Sequence, residues 1–316
     1  MRSAKSLAVI TAAAAIVALA GCAPSGSAAE DGTITIGTLR GQPHLFTPYF
    51  YDEVAPEGQE YEIVVFDSSG DIKNAIVSGS VDFGVLGAAA VISGVAQQQD
   101  VRIVASAADG GTRIVASDGI DTAQDLVGKK VGYPLGATQE ILLKRTLEAE
   151  GIDPAEDVEL VNLPFAEMAG AYESGQIDAF ISAEVGPSIA MQGGAHELLS
   201  AYDTAIGQTN IVLATSDSNI DDDAELVQGV VDTHIAATEY MVENPDEWAA
   251  DLVEEFSLDS AVVATAIENT WPRSELDADY LATLEAMSTE MLEFDQLGTE
   301  ADQSLLTDVT FVEASI

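Results

Sequence analysis

Cysteine is almost absent from this chain. Cys22 is the only one in 316 residues, so an intramolecular disulfide and a cysteine-rich metal site are both excluded. Basic residues are nearly as scarce. Lys plus Arg number 11 against 54 Asp plus Glu, a net charge of −43 at pH 7. That balance excludes nucleic acid as a partner, because neutralising phosphates needs the opposite sign. The three histidines, His44, His196 and His234, lie far apart with no zinc-binding spacing. His234 falls on an apolar helical face and reads as a packing residue. Neither Gly-x-Ser-x-Gly nor the phosphate loop Gly-x4-Gly-Lys-Ser/Thr occurs, so no catalytic signature is present. No cofactor and no metal are expected. Asp221-Asp222-Asp223 lacks the spacing and the glycine of a calcium loop and reads as a helix N-cap whose acids suit the dipole.

What is present suits a globular protein: 47% hydrophobic and 21% charged residues support a packed core, in a chain long enough for two domains. Its start reads as an export signal. Arg2 and Lys5 precede the apolar run Leu7–Leu19, which is too short to span a bilayer comfortably. Leu19-Ala20-Gly21-Cys22 then matches a bacterial lipobox. Residues 1–21 are expected to be a lipoprotein signal peptide, Cys22 the lipid attachment point and residues 22–32 a flexible tether. Several acyl chains on one cysteine make a stable anchor, which places the protein outside the cytoplasm on the bacterial cell membrane. Removing Arg2 and Lys5 leaves nine cations against 54 acids, a net charge of −45. Such a surface favours solubility and suits a saline habitat.

From residue 33 onward, short strands alternate with helices, the pattern of parallel α/β layers. The plan occurs twice. Gly37 after the first strand has a counterpart in Gly132, and Ser78-Gly79-Ser80-Val81-Asp82 has one in Ser174-Gly175-Gln176-Ile177-Asp178. In each copy glycine closes a helix in a left-handed turn and aspartate opens the next strand. Two lobes of similar topology follow. Thr112–Ser117 and Thr209–Ser216 are expected to be the two crossing strands of a hinge. Lobe I then comprises residues 33–113 and 217–316, and lobe II residues 114–216. The helices predicted after Asp223 pack on lobe I.

Open α/β sheets bind ligands beyond the carboxyl ends of their strands. That rule selects Leu39–Gln42, Ser68–Gly70, Gly87 and Ala88 from lobe I, and Gly136, Ala137, Thr138, Phe165 and Ala183–Val185 from lobe II. Within these loops Arg40 and Gln42 are candidate contacts. Ser68, Ser69 and Thr138 are expected at helix starts, with Ser69 and Thr138 serving both as caps and as ligand contacts. Arg113, at the start of a hinge strand, is a further candidate, although either arginine could instead pair with a neighbouring acid. Glu184 suits an amine or hydroxyl donor, or a structural role. Phe46, Tyr49, Phe50 and Tyr51 either favour a flat heterocycle or an apolar tail, or pack within lobe I.

Three segments carry a family resemblance: Ser78-Gly79-x-Val81-Asp82-Phe83-Gly84, Asp125-Leu-x-Gly-Lys-Lys-Val-Gly132 with Gly136-x-Thr138, and Ser174-Gly-Gln-Ile-Asp178-Ala179. Together they resemble the solute-binding components of ABC importers, nearest the nitrate/sulfonate/taurine group that also includes binders of thiamine-pyrimidine precursors. The resemblance implies a two-lobed periplasmic-binding-protein fold of type II. It implies a monomer that traps a small solute between its lobes and delivers it to a permease and ATPase. Ala88-Ala-Ala90 and Glu184-Val-Gly-Pro187 depart from the family's pattern on the ligand side. The expected solute is a sulfonate- or nitrate-type anion, with a pyrimidine-like heterocycle as alternative. A biosynthetic enzyme on the same fold and a tethered sensory module are the remaining readings.

Overall fold

The computed structural model describes residues 32–315. The expected signal peptide, Cys22 and the tether up to residue 31 lie outside the described residues. In chain order the strands are β1 (Ile34–Leu39), β2 (Tyr61–Phe66), β3 (Phe83–Gly87), β4 (Arg102–Gly110), β5 (Thr112–Ala116), β6 (Lys130–Tyr133), β7 (Glu159–Asn162), β8 (Ala179–Ala183), β9 (His196–Leu199), β10 (Thr209–Thr215) and β11 (Thr270–Pro272). The helices begin with α1 (Tyr51–Val54), α2 (Ser69–Ser78), α3 (Ala88–Ala96), α4 (Thr138–Ala149), α5 (Phe165–Glu173) and α6 (Gly186–Gln192). They continue with α7 (Asp217–Asp222), α8 (Ala224–Glu243), α9 (Pro245–Phe256), α10 (Ser260–Ile267), α11 (Ala278–Glu293), α12 (Gln303–Leu306) and α13 (Thr310–Ala314).

Two sheets form, ordered β11-β4-β10-β3-β1-β2 and β7-β6-β8-β5-β9. The repeat is physical as well as textual. β1 lies parallel between β2 and β3, as β6 lies between β7 and β8. Gly79 and Gly175 both end their helices with positive φ, +69° and +71°. Asp82 accepts the Thr35 N–H at 2.8 Å, and Asp178 accepts the Lys130 N–H at 2.9 Å. Each aspartate thus staples its strand to the first strand of its copy. At Gly132 a Cβ would come within 2.7 Å of Ile177 and 3.1 Å of Met168, so only glycine lets the covering helix approach.

The hinge differs from expectation. Thr112–Ala116 is an interior strand of the second sheet, and Thr209–Thr215 is hydrogen-bonded between β3 and β4 in the first. Residues 209–215 therefore go with lobe I. The chain crosses at Gly110-Gly111, both with positive φ (+79° and +69°), and again through residues 200–208. Two elements, α6 and β9, fill a stretch where none was expected.

The C-terminal helices cover lobe I, as expected, with α8 against β4 and α1, and α11 against α3 and β10. They also reach further: α10 packs on α6 of lobe II. Along α8 the buried stripe Val227, Val230, Val231, His234, Ala237 and Met241 faces the sheet. His234 is a packing residue, as its helical position predicts. Its Nε2 donates to the Ser106 carbonyl at 2.8 Å, so its Nδ1 accepts the Tyr51 hydroxyl at 2.7 Å. Asp223 caps α8 by accepting the Leu226 N–H at 3.0 Å.

Candidate functional site

Four helices of at least nine residues begin at one cavity of about 430 Å³ between the lobes: α2, α3, α4 and α5. Each follows a parallel strand of its sheet. The arrangement turns first-turn N–H groups and four positive dipole ends toward a shared space. Ser69 and Gly70 line it from α2, Ala89 and Ala90 from α3, Thr138 and Gln139 from α4, and Phe165 from α5. Leu39, Leu163 and Ile211 add apolar wall.

Of the expected contacts, Gln42, Ser68, Ser69, Gly87, Gly136, Ala137 and Thr138 meet at this cavity. Several of their donors are already committed. Ser68 caps α2, accepting the Asp71 N–H at 3.1 Å and donating to Asp71 at 2.7 Å. Ser69 Oγ accepts the Gly87 N–H at 3.0 Å, tying α2 to the start of α3. The Gly136 N–H donates to the Glu140 carboxylate at 2.7 Å, and the Leu135 N–H to Asn162 at 3.1 Å. Thr138 is not the cap of α4 but its first helical residue; Ala137 holds the cap position, without a side-chain bond. Glu140 does the capping from the third position, reaching back to Gly136. The side chains of Gln42 and Thr138 have no hydrogen-bond partner among the described residues and border the cavity. With Asp67 and His44 Nδ1, which border it too, they are its uncommitted polar groups.

Ala88 does not line the cavity. As the first residue of α3 it turns into the core, fully buried, and its neighbours Ala89 and Ala90 line the wall instead. Arg40 and Glu184 border an adjoining recess of about 500 Å³ that shares Leu39, Gln42, Asp67, Pro164, Phe165 and Ala183 with the first. Arg113 borders neither recess. Its Nε donates to Glu184 at 2.8 Å, its Nη1 to Glu197, and its Nη2 to the Thr265 carbonyl at 3.3 Å. Glu184, fully buried, also accepts the Ser188 hydroxyl at 2.7 Å. Burial works against the Arg113 charge, but Glu184 and Glu197 outweigh it and hold its pKa above the ordinary arginine value. These two residues are a structural pair, not two free ligand contacts.

Sequence reasoning missed Lys73. It lines the main cavity from α2, is 8% exposed, and bonds only the neutral Gln99 Oε1, at 2.6 Å. Burial lowers its pKa. The nine cations after residue 31 all lie among the described residues, and six form ion pairs: Arg102, Arg113, Lys130, Lys144, Arg145 and Arg273. The three without one are Arg40, Lys73 and Lys129, and two of those border the cleft. No spacing rule signals Lys73; its only sequence cue is the scarcity of basic residues.

Residues that hold the first crossing form part of the cavity wall: His44, Asn210 and Gln139. His44, 2% exposed, packs its ring on Gly111, where a Cβ would sit 2.5 Å from Nδ1. That Nδ1 has no hydrogen-bond partner, and burial pushes the imidazole down to about 3, so the ring is neutral. Asn210 gives its amide N–H to Gly110 O at 2.7 Å, and Gln139 gives its own to Thr112 Oγ1 at 2.9 Å. Phe46, Phe50 and Tyr51 are buried in lobe I, and Phe46 and Tyr49 pack with Phe256; none borders the cavity. Among the described residues, no group of three or more His, Cys, Asp or Glu side chains could hold a metal ion.

Two α/β lobes joined by two crossings, with helix N-termini around a shared cavity, define the two-lobed periplasmic-binding-protein class. The periplasmic aliphatic sulphonate binding protein SsuA from Escherichia coli superposes with a TM-score of 0.76 at 20% identity, covering 88% of this chain and 92% of that one. The periplasmic nitrate-binding protein NrtA from Synechocystis gives 0.73 at 16% identity, covering 90% and 88%. Residues 50–248 match the family described as NMT1/THI5 like, and the chain belongs to that family. In sequence it is 26% identical over 258 residues to the formylaminopyrimidine-binding protein of Halalkalibacterium halodurans, covering 77% of each chain. It is also 26% identical over 321 residues to a Bacillus subtilis protein named for aliphatic sulfonate binding, covering 96% of this chain and 95% of that one. No helix among the described residues is long and apolar enough to cross a membrane.

Proposed function

We propose that this protein is the extracytoplasmic solute-binding component of an ABC importer, held to the membrane through a lipid on Cys22. It traps a small organic anion between its lobes and passes it to the permease. The observation that carries the anion reading is the placement of Lys73 and Arg40, cations without an ion-pair partner in a chain this acidic: Lys73 lies beside four helix N-termini and Arg40 in the adjoining recess. Size refines the class. At ~30 Å³ per water, a 430 Å³ cavity has room for roughly fourteen, far more than nitrate needs. A sulfonate with an apolar body suits the Leu39, Leu163, Phe165 and Ile211 wall. Asp67, which borders both recesses, gives an acceptor for an amine or hydroxyl at the solute's other end.

A pyrimidine-type solute is the second reading, supported by the likeness to the formylaminopyrimidine-binding protein. The burial of Phe46, Phe50 and Tyr51 weakens it, since those rings are not free to stack on a heterocycle. Binding without chemistry follows the relatives, which are named as binding proteins; His44, the imidazole at the main cavity, is buried and held neutral.

The test is a thermal-shift panel of ethanesulfonate, taurine, nitrate, bicarbonate, pyrimidines and amino acids. A true ligand at a hundred times its Kd stabilises by about 2.7 kcal/mol. Sulfonates are expected to shift wild type, and Lys73→Met and Arg40→Ala to lose that shift while staying folded. A response to heterocycles alone, or an unchanged sulfonate response in Lys73→Met, sinks the anion reading.

A further inference from the structure

Besides the hinge and the α10–α6 contact, the lobes touch where α4 of lobe II meets the end of α11. That end belongs mechanically to lobe I. Met291 and Leu297 are buried, the Tyr280 hydroxyl donates to Ile211 O of β10 at 3.2 Å, and Thr299 Oγ1 donates to Ala96 O of α3 at 3.0 Å. Across the gap, Arg145 donates to Glu290 and Glu293, and within α4 to Glu148 at 2.7 Å. Its guanidinium carbon lies 4.4 Å from the Phe294 ring centre, and Lys144 Nζ lies 5.2 Å from the same ring.

One residue joins this contact to the cleft. Glu140 is 2% exposed. Its carboxylate accepts Lys144 Nζ at 2.6 Å, Gln296 Nε2 at 2.7 Å and the Gly136 N–H at 2.7 Å. Gln296 comes from the lobe I side, and Gly136 stands in the loop before α4 that walls the cavity. A buried carboxylate is costly unless donors surround it, as these three do. Swinging the lobes apart carries Gln296, Phe294, Glu290 and Glu293 away from α4, because they are anchored to α3 and β10. Glu140 is then uncovered to water, and its grip on Gly136 weakens.

We propose that the α4–α11 contact is a clasp that couples lobe closure to the shape of the cleft, with Glu140 as the residue that positions the 136–138 loop. Two of the nine cations after residue 31 serve this contact, where strongly acidic lobes would otherwise repel. By reciprocity, a solute that orders the loop tightens the clasp, and a closed clasp prepares the loop for a solute. The coupling depends on no particular solute.

The test uses the full chain without ligand at fixed ionic strength. Small-angle scattering reports the separation of the lobes, and deuterium exchange reports the Gly136 amide. Gln296→Ala and Arg145→Ala are expected to enlarge the radius of gyration and raise Gly136 exchange about tenfold, with core amides of β1 and β8 unchanged. Arg145→Lys restores most of that protection. Arg102→Ala removes the same charge from a pair within lobe I, with Asp217, and is expected to change neither readout. The proposal is overturned if Gly136 exchange and the radius of gyration stay at wild-type values in Gln296→Ala and Arg145→Ala. Equal changes in Arg102→Ala, or exchange rising at all amides alike, overturn it too.

Discussion

Tyr202→Phe removes one oxygen and tests how the hinge is held. Tyr202 lies on the second crossing, and its hydroxyl meets the first crossing at Thr112, 1% exposed. The Thr112 N–H donates to that oxygen at 3.0 Å. The hydroxyl has a single proton, with Asn269 Oδ1 at 3.0 Å and Thr112 O at 2.8 Å as acceptors. Asn269 Nδ2 already donates to Thr112 O at 2.9 Å. A closed ring of three bonds therefore satisfies every group when Tyr202 donates to Asn269. Phenylalanine leaves the Thr112 N–H and Asn269 Oδ1 unsatisfied in a buried site, at about 1–3 kcal/mol. Taking about 2 kcal/mol, and an unfolding entropy near ~2 cal/mol/K per residue, Tm falls by roughly 3 °C. Burial pushes the phenol up to about 12, so the loss is the same from pH 6 to 9. Calorimetry measures Tm, and deuterium exchange at the Thr112 amide localises the effect. A Tm within 1 °C of wild type, with Thr112 still protected, would refute the ring.

Burial holds His44 and His234 neutral, down to about 3 and about 4 respectively. The unfolded chain takes up protons below about pH 6.5 that the folded one refuses, so this stability is full above that pH and is lost as pH falls. By pH 5 the loss is about 2 kcal/mol per histidine; urea midpoints at pH 7 and pH 5 measure it, and equal midpoints contradict it. Arg113→Ala strands the fully buried Glu184 carboxylate and is expected to cost about 3–5 kcal/mol. The measurement is chemical denaturation, with the sulfonate thermal shift retained; loss of that shift without loss of stability would restore Arg113 to the ligand site.

The sequence shows the lobes clearly because each is built from local signals repeated once. Gly79 and Gly175 mark helix ends, and Asp82 and Asp178 mark the strands that follow, each visible within a few residues. The hinge is less legible. Thr209–Thr215 reads as an apolar strand, but which sheet it joins depends on pairing Ile211 with Gly87 and Ala108, more than a hundred residues away. The site divides along the same line. Loops at strand ends found most of the wall, since topology alone puts them there. Partner choice did not follow from position: Arg113 meets Glu184 and Glu197, separated from it by 71 and 84 residues. Thr138 was expected to cap α4, yet a carboxylate two residues on reaches back and does so, shifting the helix start by one residue. Lys73 sits between Ile72 and Asn74 like any lysine on a helix; its meaning lies in the carboxylate that is not beside it.

That absence sets the sign of the cleft. With 54 acids in the chain, a cation without an acid neighbour is one from which the fold keeps carboxylates at a distance. Lys73 is so placed, and the helix dipoles of α2, α3, α4 and α5 add to it, while Arg40 makes no ion pair but shares its recess with Asp67, Glu167 and Glu184. Asp67 alone opposes Lys73 and the dipoles in the main cavity. The surface acids act from further away, where a Debye length of about 8 Å at physiological salt screens them, whereas a solute in van der Waals contact with the wall is scarcely screened. Global charge and local charge therefore do different work. The first keeps the lobes and the molecules apart, and the α4–α11 contact opposes the first part of that. The second selects what the lobes close upon.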